Sequence, residues 1–290
     1  MSKRRGRSFD EKHLLEDYIF HKQTYKEIRA THGVDRRDVQ HLLSTFSIAP
    51  KVHRPRPVHL LVDATHFGAR TEDKDWCVLV ARDPIAKENL VSLIADTETT
   101  YGYVLLREEL ERLGYTILSV TGDGFGGIYS AFHGIPFQMC QVHMERLVIK
   151  GTTRKPLTEA GQVLLALTRT LHHTNSYLFT ERLKKFTEKY RTFLQEKTIH
   201  PITGDWSFTH EGVRAAFFSL TRLQKYLFTY EHDKNIPKTT NSLEGHFRHV
   251  KKYVGIHGGL TLENQQKILA VILQASSVSP SKEILDGLWK

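Results

Sequence analysis

Two aspartates stand where apolar runs end. Asp63 closes His59-Leu-Leu-Val62, and Asp123 follows Thr116-Ile-Leu-Ser-Val-Thr121 within Gly122-Asp123-Gly124. Carboxylates brought within a few ångströms of each other repel, and ionise together only with a cation between them. Mg²⁺ meets that need, because it takes one or two carboxylates and fills its other positions with water and phosphate oxygens. Two such ions can activate an attacking oxygen and stabilise a leaving one in an in-line phosphoryl displacement. Gly122 and Gly124 would let a phosphate backbone come close, although Gly-Asp-Gly is also an ordinary turn. A third acid is expected from a helix laid on the same sheet edge, and Glu244 in Asn241-Ser-Leu-Glu244 is the candidate. The same spacing also fits a capping box, and Glu244 can pair with Arg248 one turn later.

The elements that must position these acids follow from patterning. His59–Asp63, Trp76–Ala81 and Leu90–Ala95 read as strands joined by short turn-like segments, Thr71–Asp75 and Asp83–Asn89, which predicts an antiparallel meander. A helix over Gly102–Leu113 precedes the fourth strand, Thr116–Thr121, and a right-handed crossover would lay that strand parallel to the first. A short helix near Ile128–Phe132 and a fifth strand, Pro136–Cys140, complete an α/β sheet with an antiparallel edge. From about 155 to 232 the strand pattern disappears. Phe179, Leu183, Phe186, Tyr190 and Leu194 form one stripe of a long helix, expected to be core rather than a base-stacking platform. Two helices close the chain, Asn241–Val254 and Leu262–Ala275, separated by Gly255, Gly258 and Gly259. On the first, Leu243, Phe247, Val250 and Val254 make a buried stripe and leave Arg248, Lys251 and Lys252 outside.

Residues 8–46 read as a small helical unit. Ser8-x-x-Glu11 and Thr24-x-x-Glu27 have the capping-box pattern, Gly33 ends the second helix, and Asp35 can cap a third running to about Ser44. Arg36, Arg37, Gln40 and His41 lie on that helix's outer face, able to reach base edges in a major groove, as a helix-turn-helix requires. A three-helix packing module with a charged face is the alternative. Pro50, Pro55 and Pro57 among basic residues mark a stiff linker over residues 50–57.

Composition narrows the class. The 290 residues carry 41 Lys+Arg against 32 Asp+Glu, a net charge of +9 that favours a polyanionic partner. No apolar run approaches the roughly 20 residues that span a bilayer. No apolar segment follows MSKRRGRSFDEK, so a secretory signal is not expected. Two cysteines exclude a disulfide framework, and the compartment expected is a reducing cytosol. Cys140-x-x-His143 has metal-type spacing, but two ligands do not close a zinc site, and His172 or His173 would have to join them.

The series LLVDATHFG, VTGDGFGGIYSAF, CQVHMERL and TTNSLEGHFRHVKKYVGIHGGLT, in that order, resembles bacterial insertion-sequence transposases related to the mutator-like elements, over about residues 58–275. The resemblance implies an RNase H-like five-stranded mixed sheet (58–150 and 236–290) interrupted by an all-helical insertion (151–235) and preceded by a helix-turn-helix unit (1–49). It further implies a DDE triad of Asp63, Asp123 and Glu244 that binds Mg²⁺, with Mn²⁺ as substitute, for DNA end cleavage and strand transfer. Cys140 and His143 match the class's Cys-x-x-His signature and are read as structural or near-site, as is Asn241 beside the third acid. The partners implied are double-stranded DNA, both terminal repeats and target, and a homodimer or larger assembly on it. The location implied is a bacterial cytoplasm, at the nucleoid. Many relatives carry a zinc ribbon ahead of the helix-turn-helix, and its cysteines are lacking here. The alternatives are a nuclease that cuts without joining, and a domesticated DNA-binding protein that has lost turnover.

Overall fold

Local capping signals fix the first three helices. In the computed structural model, which describes residues 9–68, 75–257, 259–277 and 279–289, they are α1 (Glu11–Ile19), α2 (Tyr25–His32) and α3 (Arg36–Thr45). Ser8 lies outside the described residues, and Asp10 caps α1 by accepting the His13 N–H. Thr24 and Glu27 form the reciprocal box at α2, and Asp35 and Asp38 form another at α3. Gly33 takes a left-handed φ of 70° between them, which lets the chain turn without a Cβ penalty.

Pro57 opens the first strand rather than ending a linker. β1 (Pro57–Phe67) pairs antiparallel with β2 (Trp76–Asp83), and β2 with β3 (Glu88–Ala95). The segment before β1 lies on the fold through its cations: Lys51 and Arg56 both reach Glu88, at 2.9 Å each, and Arg56 also holds Asp83 at 2.8 Å. After α4 (Thr100–Arg112), β4 (Thr116–Gly122) returns parallel to β1. After α5 (Gly126–Ala131), β5 (Phe137–Met139) adds to β4. The order β3-β2-β1-β4-β5 is the mixed α/β sheet of an RNase H-like core.

Alternation along β1 and β2 sorts the two faces. Val58, Leu60 and Val62 join Leu79 and Ala81 in a core with α4. Leu61, Val78 and Val80 face the opposite way, onto Leu243, Phe247 and Val250 of α10 (Asn241–Ile256) and Ile268, Leu269 and Ile272 of α11 (Leu262–Ala275). The same second core takes in Leu14, Tyr18, Ile28, Val39 and Leu43, so the N-terminal helices are packed onto the back layer of the sheet and not held apart from it. A last helix, α12 (Lys282–Leu288), closes against residues 48–49, where the Ala49 N–H donates to the Leu288 carbonyl at 2.8 Å.

Within this second core His257 stacks on Tyr18, ring centres 4.0 Å apart, and burial pushes its imidazole down to about 4. A folded-state value below the ordinary 6.5 means that neutral His257 contributes stability that is complete above about pH 6.5 and lost as pH falls through about 4. His257→Phe should therefore lose about 2 kcal/mol less than wild type over that interval, read from urea melts at pH 7 and pH 4.

The region between β5 and α10 is built of α6 (Gln141–Thr152), α7 (Glu159–Arg169), α8 (Ser176–Gln195) and α9 (Glu211–Leu223). The stripe Phe179, Leu183, Phe186, Tyr190 and Leu194 on α8 is buried, in one core with the α4 face of the sheet. One hairpin interrupts the helices, β6 (Lys197–Ile199) with β7 (Trp206–Phe208). Three-residue strands with five of six residues exposed carry no periodicity for a sequence reading to find.

Helices α6 and α9 meet at Gly151 and Gly212, where a Cβ on either would fall on the other's carbonyl oxygen. Gly212→Ala should cost about 2 kcal/mol despite its better helix propensity, because backbone and not a flexible side chain must move. Gly255→Ala in α10, where a Cβ meets open space, should instead gain about 0.5–1 kcal/mol. Urea midpoints of the two variants check the contrast.

Candidate active site

The parallel register brings the two aspartates together. Leu61 pairs with Thr121, so Asp63, on β1, and Asp123, one residue past the end of β4, each stand two residues beyond the last pair of strands about 4.8 Å apart. Asp63 shares the face of Leu61, the one that α10 covers, and is only 8 % exposed. Burial first, and then the charge of Asp123, push its carboxyl up to about 7, with Glu244 adding to the rise and His143 and the Ala64 N–H opposing it. Asp63 therefore feels the charges of Asp123, Glu244 and His143.

Backbone ties bring α6 and α10 to this edge. The Cys140 N–H donates to the Gly122 carbonyl at 2.8 Å, next to Asp123, and the Gln141 N–H to the Lys238 carbonyl at 3.0 Å. The Thr121 hydroxyl donates to the Pro237 carbonyl at 2.9 Å. The chain is therefore pinned at residues 237–238, three residues before α10 begins. Cys140 is fully buried, and its sulfur accepts from the Thr240 N–H at 3.3 Å and hydroxyl at 3.4 Å. A thiol enclosed in this way does not reach a substrate, so Cys140 is a structural clasp. His172 and His173, the partners a zinc site would need, sit on the 3-10 turn Thr170–His173, with their rings against each other.

On α10, Asn241 is the exposed first residue, and Thr240 before it makes no side-chain capping bond. The capping-box alternative for Glu244 is thus not realised. Its carboxylate points to α6: Oε2 takes Arg146 Nη2 at 2.8 Å and Oε1 lies 3.5 Å from His143 Nε2. Oε1 is buried without a hydrogen-bond partner among the described residues. Burial alone would lower His143, but the Cys140 sulfur beside it and the carboxylates of Asp63 and Glu244 hold it above the ordinary imidazole value.

The unpartnered Glu244 oxygen and the raised Asp63 carboxyl are acceptors of the kind a hard divalent cation takes. Among the described residues, however, the ligand atoms of Asp63, Asp123 and Glu244 do not gather within 4.8 Å of one another.

No family model matches the chain, and no curated protein matches it. Among solved structures it is similar to a Drosophila P element transposase strand transfer complex at a TM-score of 0.44 and 9% identity, over 98% of this chain and 95% of that one. It is also similar to a simian T-cell lymphotropic virus intasome in complex with PP2A regulatory subunit B56 gamma, at a TM-score of 0.24 and 12% identity, over 73% and 66%.

The glycines flanking Asp123 differ from expectation. The Cβ space of Gly122 is taken by Ile128 and Phe137, and that of Gly124, at φ 90°, by Met139. Their Cβ positions are taken up by the protein's own packing. Asp123 serves as both turn and site residue: its Oδ1 accepts the Phe125 N–H at 2.9 Å.

Arg146 and Thr240 were not foreseen. CQVHMERL offered His143-x-x-Arg146, one helical turn, as the available signal for Arg146, whereas the role of Thr240 depends on a fold-back that spacing does not encode. Of the residues expected to meet DNA, Arg36, Arg37, His41, Arg248, Lys251 and Lys252 are exposed and Gln40 is half-buried. Arg36 is partly engaged, donating to the Gly259 carbonyl at 3.3 Å and lying over the Tyr25 ring. Among the described residues no helix is long and apolar enough to cross a membrane.

Proposed function

We propose that the protein is a DNA transposase of the DDE type, cutting element ends and joining them to target DNA. The observation that carries this reading is the parallel pairing of β1 with β4, which sets Asp63 and Asp123 at neighbouring strand ends, with α10, the helix of Glu244, packed against β1. Asp63, Asp123 and Glu244 would hold Mg²⁺, or Mn²⁺ in its place, which supplies charge neutralisation and activation of an attacking oxygen in phosphoryl transfer. In the first reaction water attacks a phosphodiester phosphorus, one P–O bond forms, one breaks, and a 3′-hydroxyl is released. That hydroxyl then attacks a target phosphodiester, again exchanging one P–O bond for another.

The chain's own residues orient the participants. Arg146 fixes the Glu244 carboxylate, and the Cys140–Thr240 clasp fixes the start of α10 against β4. Arg248, Lys251 and Lys252 offer phosphate contacts on the outer face of α10, while Arg36, Arg37, Gln40 and His41 supply base-edge contacts from α3. Two DNA ends must be paired for transposition, so a dimer or larger assembly on DNA is part of the proposal, as is a bacterial nucleoid location.

Labelled duplexes taken from DNA flanking the gene, incubated with the protein and Mg²⁺ or Mn²⁺, test the reading. Cutting at a discrete end with joined product is the expected result. Cutting without joining would make the protein a nuclease on this fold. Specific binding with no cutting under either metal would make it a domesticated binder.

A further inference from the structure

A second group of ligand-type side chains lies far along the chain from the acids, where α1 meets α2. His13 and Asp17 are one turn apart on α1, and His32 is the last residue of α2. His32 Nε2 is 2.8 Å from Asp17 Oδ2, and His13 Nε2 is 3.8 Å from the same oxygen. One ligand atom from each of the three falls within 4.8 Å of the others. The other carboxylate oxygen, Oδ1, is held by His21 Nδ1 at 2.7 Å, which turns Oδ2 toward the two imidazoles. Asp17 and His32 each have side chains only 7% exposed, whereas His13 is 57% exposed and closes the group on the solvent side.

We propose that His13, Asp17 and His32 form a zinc site, with His21 orienting the carboxylate and a water in the remaining position. The donor set decides the metal class. Two imidazoles and a carboxylate suit Zn²⁺ and its first-row neighbours, whereas Mg²⁺ takes oxygen ligands. Zinc–ligand bonds of about 2.0–2.2 Å set tetrahedral donors about 3.3 Å apart. Closing His13 and opening His32 by about half an ångström each brings both nitrogens to that distance from Asp17 Oδ2, and the two imidazoles, with ligand atoms within 4.8 Å, must also draw together. The orienting bond from His21 is of the kind that normally supports a metal's ligands. Such an ion ties α1 to the end of α2, one residue before the Gly33 turn, and thereby fixes the helix pair next to α3, which carries Arg36 and Arg37. The site shares no residue with the carboxylate edge and is independent of the proposed DNA chemistry.

The test is a Zn²⁺ titration of the metal-stripped full-length protein against a chromophoric chelator, in excess Mg²⁺ so that the carboxylate edge is supplied. Wild type, His13→Ala and Asp123→Ala are compared. His13 is exposed, so its removal leaves the fold intact, which circular dichroism verifies. Wild type and Asp123→Ala are expected to bind zinc with equal affinity, and His13→Ala at least about 10-fold more weakly. Co²⁺ in place of Zn²⁺ should give visible absorption that is lost in His13→Ala. The proposal is overturned if His13→Ala binds zinc within twofold of wild type, if Asp123→Ala is the variant that loses it, or if wild type retains none in Mg²⁺.

Discussion

Asp123→Ala should lower metal-dependent DNA cleavage by about 10³-fold or more, and leave binding of the same duplex within about threefold. The asymmetry follows from where Asp123 stands. It is half-buried at the end of β4, its Oδ1 taking only the Phe125 N–H, and it lies on no surface that the proposed DNA contacts of α3 or α10 use. The variant also tests whether the acids form one electrostatic unit. The raised value of Asp63 means that, without metal, the folded state is penalised as pH rises through about 7. Removing the neighbouring charge should shrink that penalty. Metal-free Asp123→Ala is therefore expected to melt no lower than wild type at pH 8, and Mg²⁺ should raise its melting temperature less. Cleavage retained within tenfold of wild type would remove Asp123 from the chemistry, whatever the fold. Lost binding in a folded variant would place it in DNA recognition instead.

The sheet is legible in the sequence because its strands are short, largely apolar segments with a carboxylate or a turn at their ends. β1 through β5 need no distant information to be recognised, and neither do the boxes Thr24–Glu27 and Asp35–Asp38. The pairing of Asp63 with Asp123 was also readable, since one crossover rule puts both strand ends at one edge. Glu244 was harder to place. Its local spacing fitted a cap and an Arg248 pair, and the fold selects neither, because residues 237–240 are bonded to β4 and α6 before α10 starts. The N-terminal unit was read as separate behind a linker. It instead shares a core with α10 and α11, because Leu14, Tyr18, Val39 and Leu43 find their apolar partners about 200 residues later. The cluster of His13, Asp17 and His32 was missed for the same reason: two of its members are one turn apart, but the third arrives only by helix packing.

Arg146→Ala should reduce cleavage by about 10–100-fold at low Mg²⁺, and much of the loss should return as Mg²⁺ is raised. Arg146 is half exposed and touches none of the aspartates, so its influence runs through Glu244, whose Oε2 it holds at 2.8 Å. With that oxygen fixed, Oε1 is left 3.5 Å from His143 Nε2, with no hydrogen-bond partner among the described residues. Freed from Arg146, the Glu244 side chain regains rotamers that point away, and the third carboxylate must be recruited by the metal at the cost of that ordering. A metal-activation curve separates this positioning role from a merely structural one. Positioning predicts a higher half-saturating Mg²⁺ with a maximal rate near wild type, and Arg146→Lys should restore part of the affinity. A structural role predicts a lower maximum at unchanged half-saturation, together with a lower melting temperature. A rate above wild type at low Mg²⁺ would mean the opposite of positioning: that the guanidinium competes with the cation for Glu244 and guards the site until metal displaces it.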